Sequence, residues 1–351
     1  MTTIPITELQ GDGIGPELQR SVHAVADALP LDLEFRPIDW SLATREAKGL
    51  ACIDEAEESM RATKVSLKYP TITGQVSPNA LIRRRCGFSV IYRPAISIKG
   101  IDGHFKEDVN LHIVRVAVGG TYDDPGQLIG KDAAVSLRMV EREPCALAAL
   151  FAFELARKKQ LHVTSSSKHT IQRVTDGLFE ETVRSIHDSG YHDVTYNREL
   201  FDALLGKVIL KPQDYEVVLV LNEYGDFLSD LASGLVGSLG TGSSGNFAYD
   251  NDRNITIAMF DPAGGTAPDI AGQNIANPTA MLLAFGMMLD HIDRYDLGHA
   301  LRLSLLGAIE DGESTRDLGG SHSTSSFTDV VIGRLAQHLP LSAATSASGA
   351  C

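Results

Sequence analysis

The sequence contains no close cysteine pair, no apolar run of 18 residues, no excess of positive charge and no internal repeat. Each absence removes a class of protein. Cys52, Cys86, Cys145 and Cys351 are widely spaced with no CxxC motif, so neither a cysteine zinc site nor a disulfide framework is expected, and a reducing compartment fits. Without a long apolar run there is no candidate transmembrane helix. The opening MTTIPITELQGDGIG also lacks the basic segment and apolar core of a secretory leader, which makes a soluble cytoplasmic protein the expectation. A formal net charge of -14 argues against a general binder of nucleic acid or anionic membrane, since both require a basic face. It leaves an anionic small molecule open, because a few arginines focused in a cleft can hold carboxylates while the remaining surface stays acidic.

What is present suits one large α/β unit or two coupled domains: 351 residues, of which 43% are hydrophobic, far exceed the size at which core burial is marginal. Residues Ile4 to Leu9 alternate like a strand and run into Gly11-Asp12-Gly13-Ile14-Gly15-Pro16, followed by helical apolar spacing from Glu17 to Leu29. Strand-like runs at Leu111 to Val118, Val163 to Ser165 and Val217 to Leu221 lie between helical stretches such as Cys145 to Lys158 and Gln172 to Ile186. This alternation predicts a largely parallel sheet. Glycine-rich stretches at Gly234 to Gly245 and Gly264 to Gly272, read as loops bordering a cleft, flank a strand candidate at Ile255 to Phe260, with a helix from Pro278 to Ile292 beyond. The tail from Leu341 to Cys351 is small and polar, the composition of a disordered segment.

Three clusters carry chemical information. In Asn222-Glu223-Tyr224-Gly225-Asp226-Phe227-Leu228-Ser229-Asp230 two aspartates stand four apart at the start of a predicted helix, which places both carboxylates on one face. An all-oxygen pair of this kind suits magnesium or manganese. The same spacing fits Asp226 as a helix N-cap with Asp230 solvated. The second cluster is Ser77-Pro78-Asn79 through Arg83-Arg84-Arg85, followed by Arg93 and Arg115. It reads as a carboxylate clamp, because guanidinium groups grip carboxylates through paired hydrogen bonds; Arg84 and Arg85 fit a solvated basic face equally well. The third, Gly11-x-Gly13-x-Gly15, lacks the full dinucleotide spacing and is followed by Pro16, so it reads as a tight turn.

With these residues in view, the chain resembles the β-decarboxylating dehydrogenases that act on isocitrate, homoisocitrate, 3-isopropylmalate and tartrate or malate. The resemblance runs from about Ile4 to about Leu335 and is strongest over NEYGDFLSDLASGLVGSLG, Asn222 to Gly240. It implies that Asp226 and Asp230 bind a divalent ion, Mg2+ or Mn2+, with Asp202 as third carboxylate from the neighbouring subunit. It implies Lys168 and Tyr122 as the proton-transfer pair, Lys168 as base for the hydroxyl and Tyr122 as donor to the enol carbon. Ser77, Asn79, Arg83, Arg93 and Arg115 correspond to the residues that hold substrate carboxylates. The segment DPAGGTAPDIAGQNIAN, Asp261 to Asn277, resembles the adenosine-binding loop. Thr73, Gly265, Thr266, Ala267, Asp269, Ile270 and Asn277 are then the cofactor residues. A carboxylate at Asp269 accepts hydrogen bonds from a ribose 2′-hydroxyl and repels a 2′-phosphate, which favours NAD over NADP.

The fold implied is a two-domain α/β unit with a large mixed sheet flanked by helices. Residues 1–97 and 238–351 would form the large cofactor-binding domain, and residues 98–237 a small domain carrying the dimer contact and the metal aspartates. The implied reaction is NAD- and metal-dependent oxidative decarboxylation of a 3-carboxy-2-hydroxy acid, a hydroxy tri- or dicarboxylate, by a homodimer with shared active sites. The chain departs from the family at Gly264 in place of the usual histidine, at Val116-Ala117 in place of Glu-Asn and at Thr170 in place of asparagine, and its Thr73 to Ser77 loop is short. These departures keep two alternatives open: a specialised-metabolism dehydrogenase for another 3-substituted malate, and a non-catalytic regulatory subunit of an isocitrate dehydrogenase complex.

Overall fold

A computed structural model describes residues 3–74, 77–101, 109–237 and 239–339. The polar tail from Leu341 to Cys351 and part of the Thr73 to Ser77 loop lie outside the described residues. Ten strands form one sheet. From one edge they run β2 (Leu33–Asp39), β1 (Ile4–Gln10), β3 (Val65–Lys68), β12 (Ile255–Pro262), β11 (Ser243–Tyr249), β4 (Phe88–Ile96), β5 (Asn110–Val116), β10 (Val217–Val220), β8 (Val163–Ser167) and β9 (Tyr196–Leu200). A separate antiparallel ribbon pairs β6 (Gln127–Ile129) with β7 (Ala133–Val135).

Both flanks of the sheet are parallel, as the alternating pattern predicts. The centre is not: β12–β11, β11–β4 and β4–β5 are successive antiparallel pairs. The cause is a hairpin, in which β11 turns into β12 through a short connection where Asp250 accepts the backbone N–H of Asn254 at 2.8 Å. The glycine-rich stretch read as a loop from Gly234 to Gly245 is corrected at both ends. Gly234 belongs to the helix Asn222–Leu235, and Ser243 to Gly245 open β11. Small residues mask a strand there because pairing needs only backbone groups, and Gly245 stands against Tyr92 of β4.

Strand alternation sorts the core onto two faces. One face carries a single large apolar cluster under α1 (Gly15–Asp27), α5 (Arg142–Lys159), α6 (Thr175–Gly190), α9 (Thr279–His291), α10 (Tyr295–Glu310) and α11 (Thr324–His338). In α1 the 3–4 spacing predicted from sequence is what buries Leu18, Val22, Val25 and Ala26. The opposite face divides its apolar cover in two. Leu9, Met259 and Phe88 pack under α3 (Leu50–Thr63) and α4 (Pro78–Cys86), beside the short α2 (Leu42–Lys48). Leu111, Ile113 and Val218 pack under α7 (Phe201–Leu210) and α8 (Asn222–Leu235). Between these clusters the sheet face turns polar, and the candidate site occupies that seam. Cys52, Cys86 and Cys145 are buried free thiols, and burial pushes the last two up to about 12, so they are inert packing residues.

Candidate active site

The register of the central strands assembles the polar seam. Ile91 on β4 stands opposite Arg115 on β5 and opposite Asn246 on β11, with Arg93 two residues along β4. Side chains two apart share a face, so Arg93, Arg115 and Asn246 project to the same side as Asp261 of β12, whose neighbour Met259 pairs with Asn246. Asn246 donates to Asp261 at 3.1 Å and accepts from Arg83 Nε at 3.2 Å. Lys68 lies 3.9 Å from Asp261; its burial lowers it to about 8, with the Asp261 carboxylate opposing that shift.

Asp226 is the hub of the seam. Its Oδ1 accepts from Arg115 at close range and from Arg93 at 3.2 Å, and its Oδ2 accepts from the Tyr122 hydroxyl at 3.1 Å. Burial alone would raise the Asp226 carboxyl, but the Arg115 and Arg93 charges outweigh it and hold it below the ordinary range. Arg93 also donates to Ser229 at 2.8 Å. Burial and the neighbouring Arg115 bring Arg83 to about 9, and burial with Arg93 brings Arg115 to about 10, so both guanidiniums stay charged at neutral pH. Tyr122 is raised, first by desolvation and then by the facing Asp226.

The capping alternative for Asp226 is overturned, because α8 starts at Asn222 with Leu221 as N-cap and no side-chain cap bond. The two aspartates lie inside the helix, Asp226 half-buried and Asp230 exposed one turn on. Asn222 instead positions Arg115. Its amide oxygen accepts two bonds from that arginine, at 2.8 and 3.0 Å, and its amide nitrogen donates to the Gly119 carbonyl at 2.9 Å. Gly225 lets Arg115 pass, since a Cβ there would lie 2.6 Å from both Cβ and Cγ of that arginine. Arg84 and Arg85 face away from the seam. The first is exposed 3.7 Å from Asp123, and the second pairs with Asp54 and Glu57 of α3, the solvated basic face that the sequence left open.

Lys168 and Asp202 form a second group. Their side chains pair at 2.7 Å, and the hydrogen bond from Lys168 lowers the exposed Asp202 carboxyl. Within a single chain the partners seen for this pair do not include Asp226, Asp230 or Tyr122. A buried knot stands behind them. Asp176, fully buried, accepts from the Lys168 backbone N–H at 2.7 Å, from Tyr224 of α8 at 3.2 Å and from Arg138 at close range. Arg138 also donates to Glu223 at 2.7 Å. The Tyr224 ring stacks at 4.3 Å on Phe201, the residue before Asp202.

The predicted cofactor loop follows β12. Ala267 adopts φ 37°, a strained value that marks a backbone held for a purpose. The N-terminal glycine turn braces the loop. Ile14 N–H donates to the Thr266 carbonyl at 3.0 Å, and a Cβ on Gly13 would lie 2.0 Å from that oxygen. The tight-turn reading of Gly11 to Gly15 therefore holds, with close backbone approach as its reason. Thr73, Gly265 and Asp269 are exposed or partly so, and Thr266, Ala267 and Ile270 are half-buried. Asn277 is committed locally, donating to Asp317 at 2.8 Å and accepting from the Thr279 N–H at 2.9 Å.

Ser77 caps α4 by accepting from the Ala80 N–H at 3.3 Å. The Asn79 Oδ1 and Arg93 Nε atoms are buried and partnerless among the described residues, a costly state that a bound polar ligand would relieve. An oxygen-rich helix face at Asp226 and Asp230, set beside arginines able to release Asp226 in favour of substrate carboxylates, fits a hard divalent ion. Sequence reasoning passed over Asn222 and Ser229, although both sit in the motif that carries the aspartates. It also passed over Lys68, Asn246, Asp261, Arg138 and Asp176, for which only strand alternation or a buried charge pattern gave any signal.

The family model described as isocitrate/isopropylmalate dehydrogenase matches residues 5–331. The chain is 37% identical over 341 residues to subunit 2 of the mitochondrial NAD isocitrate dehydrogenase of Kluyveromyces lactis, covering 94% of this chain and 90% of that protein. It is 34% identical over 336 residues to the alpha subunit of the mitochondrial NAD isocitrate dehydrogenase of Rattus norvegicus, with the same coverage. The crystal structure of isocitrate dehydrogenase from Methylococcus capsulatus superposes with a TM-score of 0.85 at 32% identity, covering 94% of this chain and 99% of that one. A match of this extent, on a fold that gathers three arginines, a tyrosine and an aspartate at one seam, places the chain in the isocitrate/isopropylmalate dehydrogenase family of β-decarboxylating dehydrogenases.

Proposed function

We propose that the protein is an NAD-linked, divalent-metal-dependent isocitrate dehydrogenase working as a homodimer. The observation that carries the substrate reading is the gathering of three arginines in the seam, Arg93 and Arg115 on Asp226 and Arg83 on Asn246, with Asn79 Oδ1 and Arg93 Nε lacking partners among the described residues. Three guanidiniums match three carboxylates, and a seam lined by charge and amide groups favours a carboxylated substrate arm over an alkyl one. The same features speak for turnover over a silent regulatory role, because a subunit without chemistry needs no proton donor on Asp226.

The residues divide the work. Arg93 and Arg115 neutralise Asp226 until substrate carboxylates take its place on the guanidiniums, which would leave the Asp226 carboxylate available beside Asp230 for the ion. Tyr122, whose proton the Asp226 carboxylate holds at neutral pH, stands as donor to the enol carbon once carbon dioxide has left. Lys168, paired with Asp202, is the base for the substrate hydroxyl. When bound, the divalent ion would supply stabilisation of negative charge on the substrate oxygen, and NAD would supply the hydride acceptor. Asp269 on the cofactor loop favours the ribose of NAD.

Because Lys168 and Asp202 have partners other than Asp226, they complete the neighbouring subunit's site in this reading. Exposed apolar side chains support such a neighbour: Leu128, Ile129 and Leu137 on or beside the β6–β7 ribbon, Val174 ahead of α6, Leu210 at the end of α7 and Phe227 on α8. Uncovered apolar surface of this kind marks a contact face. The boundary between the two proposed domains, near residues 97 and 238, separates β5, β10, β8 and β9 from the other six strands.

The test is to follow NADH absorbance with a panel of 3-substituted malates, with and without Mg2+ or Mn2+. The expected outcome is turnover of isocitrate, abolished by chelator and slow with NADP. Turnover of an alkyl malate in preference to isocitrate would move the assignment to the specialised dehydrogenase, and silence toward the whole panel would move it to the regulatory subunit.

A further inference from the structure

We propose that the C-terminal end of α6 and the loop leading into β9 form a second metal site, distinct from the catalytic seam, for a Zn2+-class transition ion. Its ligands are His187, Asp188 and His192, each offering one atom, and these atoms lie within 4.8 Å of one another.

The donor set is two imidazoles and one carboxylate, which suits zinc, nickel, copper or cobalt rather than magnesium. His187 carries the argument. Its Nε2 lies 3.1 Å from the Val194 carbonyl, which can only accept, so Nε2 carries the hydrogen and the neutral ring presents the Nδ1 lone pair. That lone pair faces Asp188 Oδ1 at 3.2 Å. Two acceptors face each other there, so a proton or a cation must lie between them. With metal–ligand bonds of about 2.0–2.1 Å, the edge of a tetrahedral site is about 3.3–3.4 Å, slightly longer than the Nδ1–Oδ1 separation of 3.2 Å. The outward bond to a backbone carbonyl is the orienting contact that metal-bound imidazoles use to fix their tautomer.

The surroundings hold the ligands in place. The His187 ring packs against Phe153 at 5.4 Å and Tyr196 at 5.2 Å, and meets His192 edge-on at 5.7 Å. His187 and Asp188 lie in the last turn of α6, where unpaired carbonyls favour a cation. The nearby Asp193 is engaged by Arg157 at 2.8 Å, which keeps that guanidinium occupied. An ion here would clasp the helix end to the strand that runs directly into α7 and Asp202, so its effect is expected in stability and not in turnover.

The experiment titrates the full chain with Co2+, then displaces it with Zn2+, in excess Mg2+ so that oxygen sites are filled. One Co2+ per chain is expected, displaced by Zn2+, insensitive to Mg2+ and raising the melting temperature. The exposed His192→Ala should weaken binding by about tenfold or more and Asp188→Asn by a smaller factor. NAD-linked turnover should be unchanged in both. Equal Co2+ binding in His192→Ala and the parent protein, or no saturable binding of either ion, would overturn the assignment.

Discussion

At the scale of single residues, the proposed mechanism separates groups that exchange protons from groups that hold charge. Lys168→Met and Tyr122→Phe remove the proposed proton-transfer pair at side chains that are partly exposed to solvent. Each should lower kcat by about two orders of magnitude or more, with circular dichroism and melting temperature close to those of the parent. Undiminished turnover in both variants would remove the pair from the chemistry. Asp226 makes a different prediction. Its carboxyl is held below the ordinary value, so its contribution to folding is present above about pH 4 and is lost as pH falls through the depressed folded value. Asp226→Asn should therefore flatten the acid side of the stability profile and raise the Mg2+ concentration needed for half-maximal turnover. An unaltered acid limb, or indifference to Mg2+, would contradict the role assigned to it.

At the scale of elements, α8 braces both groups of candidate side chains. Asn222 and Asp226 fix Arg115, while Tyr224 of the same helix reaches Asp176 and through it the Lys168 backbone. Removing Asp176 leaves the Lys168 backbone N–H and the Tyr224 hydroxyl without their acceptor and strips Arg138 of one of its two carboxylates. Asp176→Ala should cost about 3–5 kcal/mol of stability, measurable by chemical denaturation. Asp176→Asn keeps an acceptor at the same place and should recover part of that loss. Denaturation midpoints equal to the parent in the alanine variant would mean that the knot contributes nothing to the fold. The knot also explains why β8, α6 and α8, distant in sequence, present Lys168 and Asp226 from one rigid unit.

At the scale of the whole molecule, the question is whether one chain completes a site. If Lys168 serves the partner's Asp226, mixed dimers of Lys168→Met and Asp226→Asn regain one working site from two inactive parents. Random reassortment of equal amounts should restore about a quarter of parental activity, since half of the dimers are mixed and each has one intact site. No recovery after verified subunit exchange would place both residues in the same chain's site.

How much of this was legible in advance depends on the range of the interactions. Periodicity located β1, β5, β8, β10, β12 and α1, α5, α6 and α9 to within a few residues, because hydrophobic spacing is local and each element buries one face. The family resemblance implied a mixed sheet and the fold bears that out; periodicity alone hid its antiparallel centre, since strand direction depends on which strands become neighbours, and Ser243 to Gly245 offered no apolar alternation. The NEYGDFLSD segment and the arginines announced a charged site because their residue types are expensive to bury without a ligand. Pairing between β4, β5, β11 and β12 alone decided that Arg93, Arg115, Asn246 and Asp261 share a face. Asp176 and Arg138 were invisible for the same reason: a buried charge pair is defined by who meets whom across the chain. Element types and the chemistry of the candidate residues could thus be read from the order of amino acids, because backbone preference and side-chain function are local properties. Which of those residues meet, and that Lys168 pairs with Asp202 of its own chain, came from the folded chain, because contacts between distant segments are set by sheet register and packing.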